Sequence, residues 1–322
     1  MKKYFAERNG FVKNADVILK NGINATVINV ISSCISCLNE GLDADDERAG
    51  RAGPWAAYSS ASYYQLCLAV WTKFFNKRSN DYGYYTGDSD ALQRHLLSPS
   101  IPWYAKLSMI EFAIEYMEAE FKDAQRVQIK NDFVSELNSE FERIHYGYRI
   151  IDGIIIDIIS DEEKKSIENA LSTSDAAVKE HLKKALALYA QQPEPDYRNA
   201  IKESISAVEA LLRLKTGEST FGPAYTKVKK SITIHPRIQE AIQKLYDYTN
   251  QPDTGIRHSK VEGDGTMVPD AAECQFMLVT CSAIINYFQE KIAYNWTLHQ
   301  LDAKRAGTSR EGRPEFFNNL RF

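Results

Sequence analysis

A mainly α-helical protein is predicted, with a helical amino-terminal domain that holds one small β-hairpin and a carboxy-terminal antiparallel four-helix bundle. Three observations predict it. Apolar residues recur at three- and four-residue spacing through most of the 322 residues, as they do in helices with one buried face. Tyr148-Arg149-Ile150-Ile151-Asp152-Gly153-Ile154-Ile155-Ile156 sets Asp-Gly between two β-rich runs, a strong short signal for a hairpin. Ser172-Thr173-Ser174-Asp175 stops one helix and starts another. The domains defined this way are 1–174, with the hairpin near 148–159, then 175–295 as the bundle, and 296–322 as a basic tail.

In the first domain, residues 4–12 read as a short leading segment. Helical spacing then runs from Asp16 to Leu38, with Val27, Val30, Ile31 and Ile35 on its apolar side and Gly41 as a stop. Residues 39–53 are polar and Gly-rich, which predicts a loop. A second helix over Pro54 to Phe75 carries Trp55, Tyr58, Tyr63, Tyr64, Trp71, Phe74 and Phe75, a stripe that reads as core. Residues 79–100 read as irregular. A long helix begins near Pro102, since Pro is tolerated in a first turn, and another carries Phe133, Leu137 and Phe141 into the hairpin. Ser160-Asp161-Glu162-Glu163 is a capping box that opens a helix to about Leu171.

In the second domain a helix from Asp175 to Gln191 ends at Pro193-Glu194-Pro195, and the next runs from Tyr197 to Lys215 with Gly217 as its stop. So short a connection makes the two antiparallel neighbours. Ile201, Ile205, Val208, Leu211 and Leu212 share one arc of the second helix, and Lys202, Ser206, Glu209 and Arg213 share the other. A third helix starts at His235-Pro236 and ends near Thr249; His235 is read as a cap or packing residue there. The last opens at Asp270-Ala271-Ala272-Glu273. Its stretch from Cys274 to Phe288 is apolar nearly all round, which requires burial inside a bundle or against a second copy.

Composition narrows the functional classes. With 44% hydrophobic and 25% charged residues the chain is an ordinary globular one. The early charges of Met1-Lys2-Lys3-Tyr4-Phe5-Ala6-Glu7-Arg8 do not fit a signal peptide, and no apolar run reaches membrane-spanning length, so a cytoplasmic protein without membrane partners is expected. The net charge of −4 excludes a chain that coats nucleic acid by bulk charge. It is unevenly divided: 19 Lys+Arg face 25 Asp+Glu through Ser174, against 20 and 18 after it. A local anion site in the second domain is therefore expected. Cys34 and Cys37 have the C-x-x-C spacing, but no second pair completes a zinc site, so the five cysteines read as small buried hydrophobes and no metal or cofactor is expected.

The chemistry-bearing stretch is Gly255-Ile256-Arg257-His258-Ser259, in a Pro- and Gly-punctuated loop ahead of the last helix. Arg257 offers a planar fork of donors suited to phosphate, and His258 can take or give a proton near neutral pH. Asp253 caps the turn or holds Arg257. Glu209 is a candidate to orient Arg257 or His258, or else forms an i,i+4 ion pair with Arg213.

The pattern of the second domain, with Tyr197-Arg198-Asn199-Ala200-Ile201-Lys202-Glu203-Ser204-Ile205-Ser206-Ala207-Val208-Glu209-Ala210 and the later Gly255-Ile256-Arg257-His258, resembles the HEPN domain. Phe5-Ala6-Glu7-Arg8-Asn9-Gly10, Tyr148-Arg149-Ile150-Ile151-Asp152-Gly153 and Ile234-His235-Pro236 resemble, more narrowly, HEPN proteins of the AbiJ abortive-infection type. The resemblance implies a homodimer formed through HEPN-like bundles, RNA as substrate, and a metal-independent endoribonuclease toxin of anti-phage defence, with a possible antitoxin or phage trigger as partner. In that family the site is an Arg followed, several residues later, by a His, and two copies meet across the dimer. Arg257 matches the Arg. His258 is adjacent to it, and Glu262, Gly263 and Asp264 stand where the spaced His would fall. On this reading Arg257 and His258 are catalytic, Glu209 and Asp253 support them, and Arg213 and Lys260 contact RNA. The competing expectation is a catalytically degenerate HEPN dimer that binds or senses RNA or a nucleotide; a scaffold anchored through the Phe316 to Phe322 end is a third.

Overall fold

A computed structural model describes residues 19, 21–50, 61–82, 90–157, 160–191, 194–252, 256 and 268–305, with 296–305 as backbone only. Eleven α-helices and one two-stranded antiparallel hairpin are found among them. Two compact units divide the chain, Met1–Ile159 and Ser160–Phe322.

In the first unit, α1 (Ala25–Arg48) starts where the Asn24 side chain accepts the Val27 N–H, satisfying one of the free amides of a helix start. It begins later than Asp16 and runs well past the expected stop at Gly41. Gly41 sits in mid-helix, where a β-carbon would lie 3.5 Å from the Ile129 side chain. Then come α2 (Ser62–Ala69), which passes into a π-helical turn (Val70–Phe74), α3 (Ala91–Leu97), α4 (Trp103–Glu120) and α5 (Ala124–Arg143). The presence of α3 corrects the irregular reading of residues 79–100. Its start is set by Asp90, whose carboxylate accepts the Gln93 N–H at 2.9 Å. The core gathers Ile31, Ile35 and Leu42 of α1 with Leu66, Leu92, Met109 and Phe141.

The hairpin is as the Asp-Gly dipeptide predicts. β1 (Tyr148–Ile151) pairs with β2 (Ile154–Asp157), and Asp152 and Gly153 both take positive φ, 51° and 80°. Ile151 and Ile154 flank the turn, so the amides of Ile150 and Ile155 point away from the partner strand. Both edges are met by side chains of neighbouring helices. Buried Asn138 of α5 donates to the Ile150 carbonyl at 2.9 Å and accepts its N–H at 2.8 Å. Glu111 of α4 accepts the Ile155 N–H at 2.6 Å, and burial holds its carboxyl above the usual range. Asn138→Ala should strand two buried backbone groups and destabilise the first unit by about 2–3 kcal/mol. Urea unfolding checks this; a loss within about 0.5 kcal/mol, the scale of an ordinary surface change, would remove the edge argument.

In the second unit, α6 (Asp161–Thr173) opens with the expected capping box, reciprocal between Ser160 and Glu163. α7 (Ala176–Ala190) and α8 (Tyr197–Thr216) follow, and α8 ends at Gly217, whose φ of 75° only glycine adopts without strain. α9 (Phe221–Ser231) was not foreseen; α10 (Pro236–Thr249) starts with the His235 side chain accepting the Arg237 N–H, a true cap. α11 (Ala271–Arg305) continues past Trp296, where the sequence reading began its tail. Asp270 and Glu273 cap its start reciprocally at 3.0 Å.

α8 packs on α7, α9, α10 and α11, and α11 packs on α6, α7 and α8. Ile201, Ile205, Val208, Leu211 and Leu212 are buried on α8, while Lys202 and Arg213 are exposed, as the arc predicts. Asn286 of α11 donates to the Ser166 carbonyl at 2.8 Å, and Gln289 is bonded to Thr173 and Ser174. These contacts set α6 within the second unit, so the break in packing falls ahead of α6, whereas the sequence reading places its boundary at 174. α1 and residues 271–295 of α11 are long and apolar enough to cross a bilayer, yet each lines the core of its own unit, as core helices of that composition do.

Candidate functional site

Arg257, His258, Asp253 and Lys260 lie outside the described residues. Of the Gly-Ile-Arg-His-Ser stretch, Ile256 alone is described, and it is buried. Glu209 and Arg213 lie one turn apart on the less buried arc of α8, Glu209 half-buried and Arg213 exposed. The Arg213 carbonyl accepts the Gly217 N–H at 2.8 Å, so the end of α8 is fixed by the cap just beyond it.

The described helices also bring together a pair that sequence reasoning missed. His181 Nδ1 of α7 lies 2.6 Å from Glu203 Oε2 of α8. A carboxylate can only accept, so Nδ1 carries a proton and donates it to Glu203. The side chains are 34% and 22% exposed, which leaves the imidazole open to solvent from one side. A carboxylate that fixes the tautomer and ring plane of a histidine is the arrangement a general base needs. One turn along α7, Lys184 bonds Glu180 at 2.7 Å; that bond raises the Lys184 pKa and lowers that of Glu180. The Glu203 charge also raises Lys184, so cation and imidazole share one carboxylate's field.

Nothing in the sequence could pair His181 with Glu203. Each sits at the polar edge of its own amphipathic pattern, and their meeting depends on how α7 and α8 rotate against each other. The cysteine expectation holds for four residues: Cys34, Cys67, Cys274 and Cys281 are buried, and burial first of all pushes their thiols up to about 12. Cys37 is exposed and corrects the fifth.

A family model described as AbiJ N-terminal domain 4 matches residues 3–173, the first unit together with α6. No curated protein and no solved structure matches the chain.

Proposed function

We propose that this chain, which belongs to the AbiJ N-terminal domain 4 family, is an abortive-infection protein of anti-phage defence whose second unit cleaves RNA without a metal ion. The observation that carries the defence reading is the match over 3–173. The ribonuclease reading rests on the resemblance of the second unit to HEPN domains, and the burial pattern of α8 is compatible with it. Phe276 and Tyr294 on α11 are 58% and 62% exposed, apolar surface that a second copy would cover in a homodimer. Two copies would bring two Arg257–His258 pairs to one cleft, with RNA as substrate and an antitoxin or a phage component as the partner that controls it.

The chemistry is transesterification. A base takes the proton of the ribose 2′-OH, the oxygen attacks the adjacent phosphorus, and an acid protonates the leaving 5′-oxygen to give a 2′,3′-cyclic phosphate. His258 serves as base or acid, and its copy in the dimer takes the other task, while Arg257 stabilises charge developing on the phosphoryl oxygens. Arg213 and Lys260 hold the RNA backbone; Glu209 and Asp253 position the pair.

Purified protein in EDTA should cleave RNA to cyclic-phosphate ends. Arg257→Ala and His258→Ala should each lower the rate roughly 100- to 10,000-fold with the fold intact. His181→Ala, tested beside them, should retain cleavage. Loss in His181→Ala with retention in His258→Ala would move the base to the His181–Glu203 pair. One specific observation favours the second reading, a degenerate dimer that binds RNA or a nucleotide: Arg257 and His258 are adjacent instead of spaced. Absence of cleavage by the wild type, with RNA binding that Arg257→Ala abolishes, would establish that reading.

A further inference from the structure

In a chain of net charge −4, residues 219–239 carry Lys227, Lys229, Lys230 and Arg237 and no Asp or Glu. They form α9, the turn after it and the start of α10. Helix α9 buries Phe221, Ala224, Tyr225 and Val228, the three- and four-residue spacing of one face, and leaves Thr226, Lys227 and Lys230 exposed. Lys229 is half-buried, with Nζ 4.6 Å from the centroid of the Tyr225 ring one turn back. Past the helix, Ile232 takes extended torsions, φ −129° and ψ 145°. Burial then alternates: Ile232 and Ile234 are buried, Thr233 and His235 exposed, as side chains on extended backbone point to opposite sides.

This corner is tied down from within. The Ile232 N–H donates to the Val228 carbonyl at 3.0 Å, and the Tyr225 hydroxyl donates to the Gln239 carbonyl of α10 at 2.8 Å. The Gln239 side chain donates to the Ile234 carbonyl at 2.8 Å. His235 Nδ1 accepts the Arg237 N–H at 3.2 Å, so the ring's proton is on Nε2, where it can be donated.

The cations at the two ends of the run are matched, Lys227 by Glu218 at 3.4 Å and Arg237 by Glu240 at 2.9 Å. Among the described residues no carboxylate pairs with Lys229 or Lys230, and no acceptor takes the His235 Nε2 proton. Basic residues in the last turn of α9 suit the helix dipole, which accounts for their position and leaves their N–H groups unused. Two ammonium groups, a hydroxyl and an imidazole N–H thus follow one another along a pinned, acid-free stretch. Such donors suit a polyanion that offers oxygens in succession and is held without regard to sequence. We propose that the α9–α10 corner, through Lys229, Lys230, Thr233 and His235, holds the sugar–phosphate backbone of RNA. The choice of polyanion rests on the ribonuclease reading, to which the corner adds a surface outside the Arg257–His258 loop.

Binding and cleavage are measured separately. Full-length protein in EDTA is titrated, by fluorescence anisotropy at several salt concentrations, into a labelled 2′-O-methyl oligoribonucleotide, which lacks the attacking hydroxyl and cannot be cut. The Lys229→Gln/Lys230→Gln double variant should bind at least tenfold more weakly, with a salt slope flatter by about 1.4, the loss of two single-strand phosphate contacts. Lys230→Arg should bind as wild type does. His235→Asn keeps a helix-capping side chain and shortens the donor, and should weaken binding several-fold with an unchanged thermal midpoint. Lys184→Gln, which removes the same charge from a lysine already paired with Glu180, should leave binding unchanged. The proposal is overturned if the wild type does not bind, if Lys184→Gln weakens binding as much as Lys230→Gln, or if the double variant binds like wild type; that last result would leave the corner to an acidic protein. Unmodified RNA tests the other reading: lysine-dependent binding without cleavage would sink the ribonuclease and keep this surface, and cleavage with lysine-independent binding would do the reverse.

Discussion

Asp46→Ala should lower the stability of the first unit by about 3 kcal/mol, the low end of what breaking a buried ion pair costs. Asp46 is wholly buried near the end of α1. One oxygen accepts the Ser62 N–H at 2.6 Å; the other accepts the Ser62 hydroxyl at 2.8 Å and Arg126 Nη2 at 3.1 Å. The carboxylate therefore caps α2 and joins it to α1 and α5. Arg126 keeps Asp45 at 3.3 Å and Asp123 at 3.6 Å after the substitution, which is why the upper end of the range is not expected. Among the described residues Ser62 loses both of its bonds, from the backbone N–H and from the hydroxyl. Asp46→Asn, which preserves the shape and one acceptor oxygen, should recover about half of the loss. Denaturant unfolding followed by tryptophan fluorescence measures both. A loss below about 1 kcal/mol for the alanine variant, the worth of a surface pair, would mean that the network contributes no more than surface charges do.

Phe288→Ala should cost the second unit about 3–5 kcal/mol, the usual price of emptying a large aromatic from a packed core. Phe288 is fully buried on α11, the helix that touches α6, α7 and α8. Its ring stands edge-on to Tyr225 of α9 at 6.3 Å and 80°. Tyr225 in turn lies over Phe221, which stacks on Tyr246 of α10 at 3.8 Å, so one cavity would loosen an aromatic column that joins three helices. Thermal unfolding by circular dichroism should show a lowered midpoint, with self-association and any RNA cleavage lost together. His258→Ala should separate them, leaving the midpoint unchanged. An unchanged midpoint in Phe288→Ala would place the ring outside the cooperative core.

Local signals were legible wherever their causes were local. The Asp152-Gly153 turn, the Ser160–Glu163 box, the His235 cap and the Gly217 stop each depend on atoms within a few residues, and each stands where its sequence signature puts it. The end of α1 was not legible, because Gly41 followed by Asp43, Asp45, Asp46 and Glu47 opposes helix at a carboxy terminus, where the dipole disfavours acid. Arg126 and Ser62 outweigh that preference from far along the chain. α3 was hidden in a similar way: seven residues are too few to show periodicity, and packing against α1, α2 and α4 stabilises them.

By itself the sequence determined the helical class, the hairpin and its register, most caps of the second unit and the buried arc of α8, since propensity, turn geometry and periodicity act over short spans. It also carried the family, through short segments in both units, Phe5 to Gly10, Tyr148 to Gly153 and Ile234 to Pro236. Which polar groups meet was decided by the tertiary structure alone. His181 reaches Glu203, Asn138 closes the edge of β1, and Lys77 reaches His95 and Trp71 only because the rotation and offset of neighbouring helices bring them within hydrogen-bonding distance. Those offsets follow from packing the whole apolar interior at once, a sum over many weak contacts that no single stretch of sequence contains.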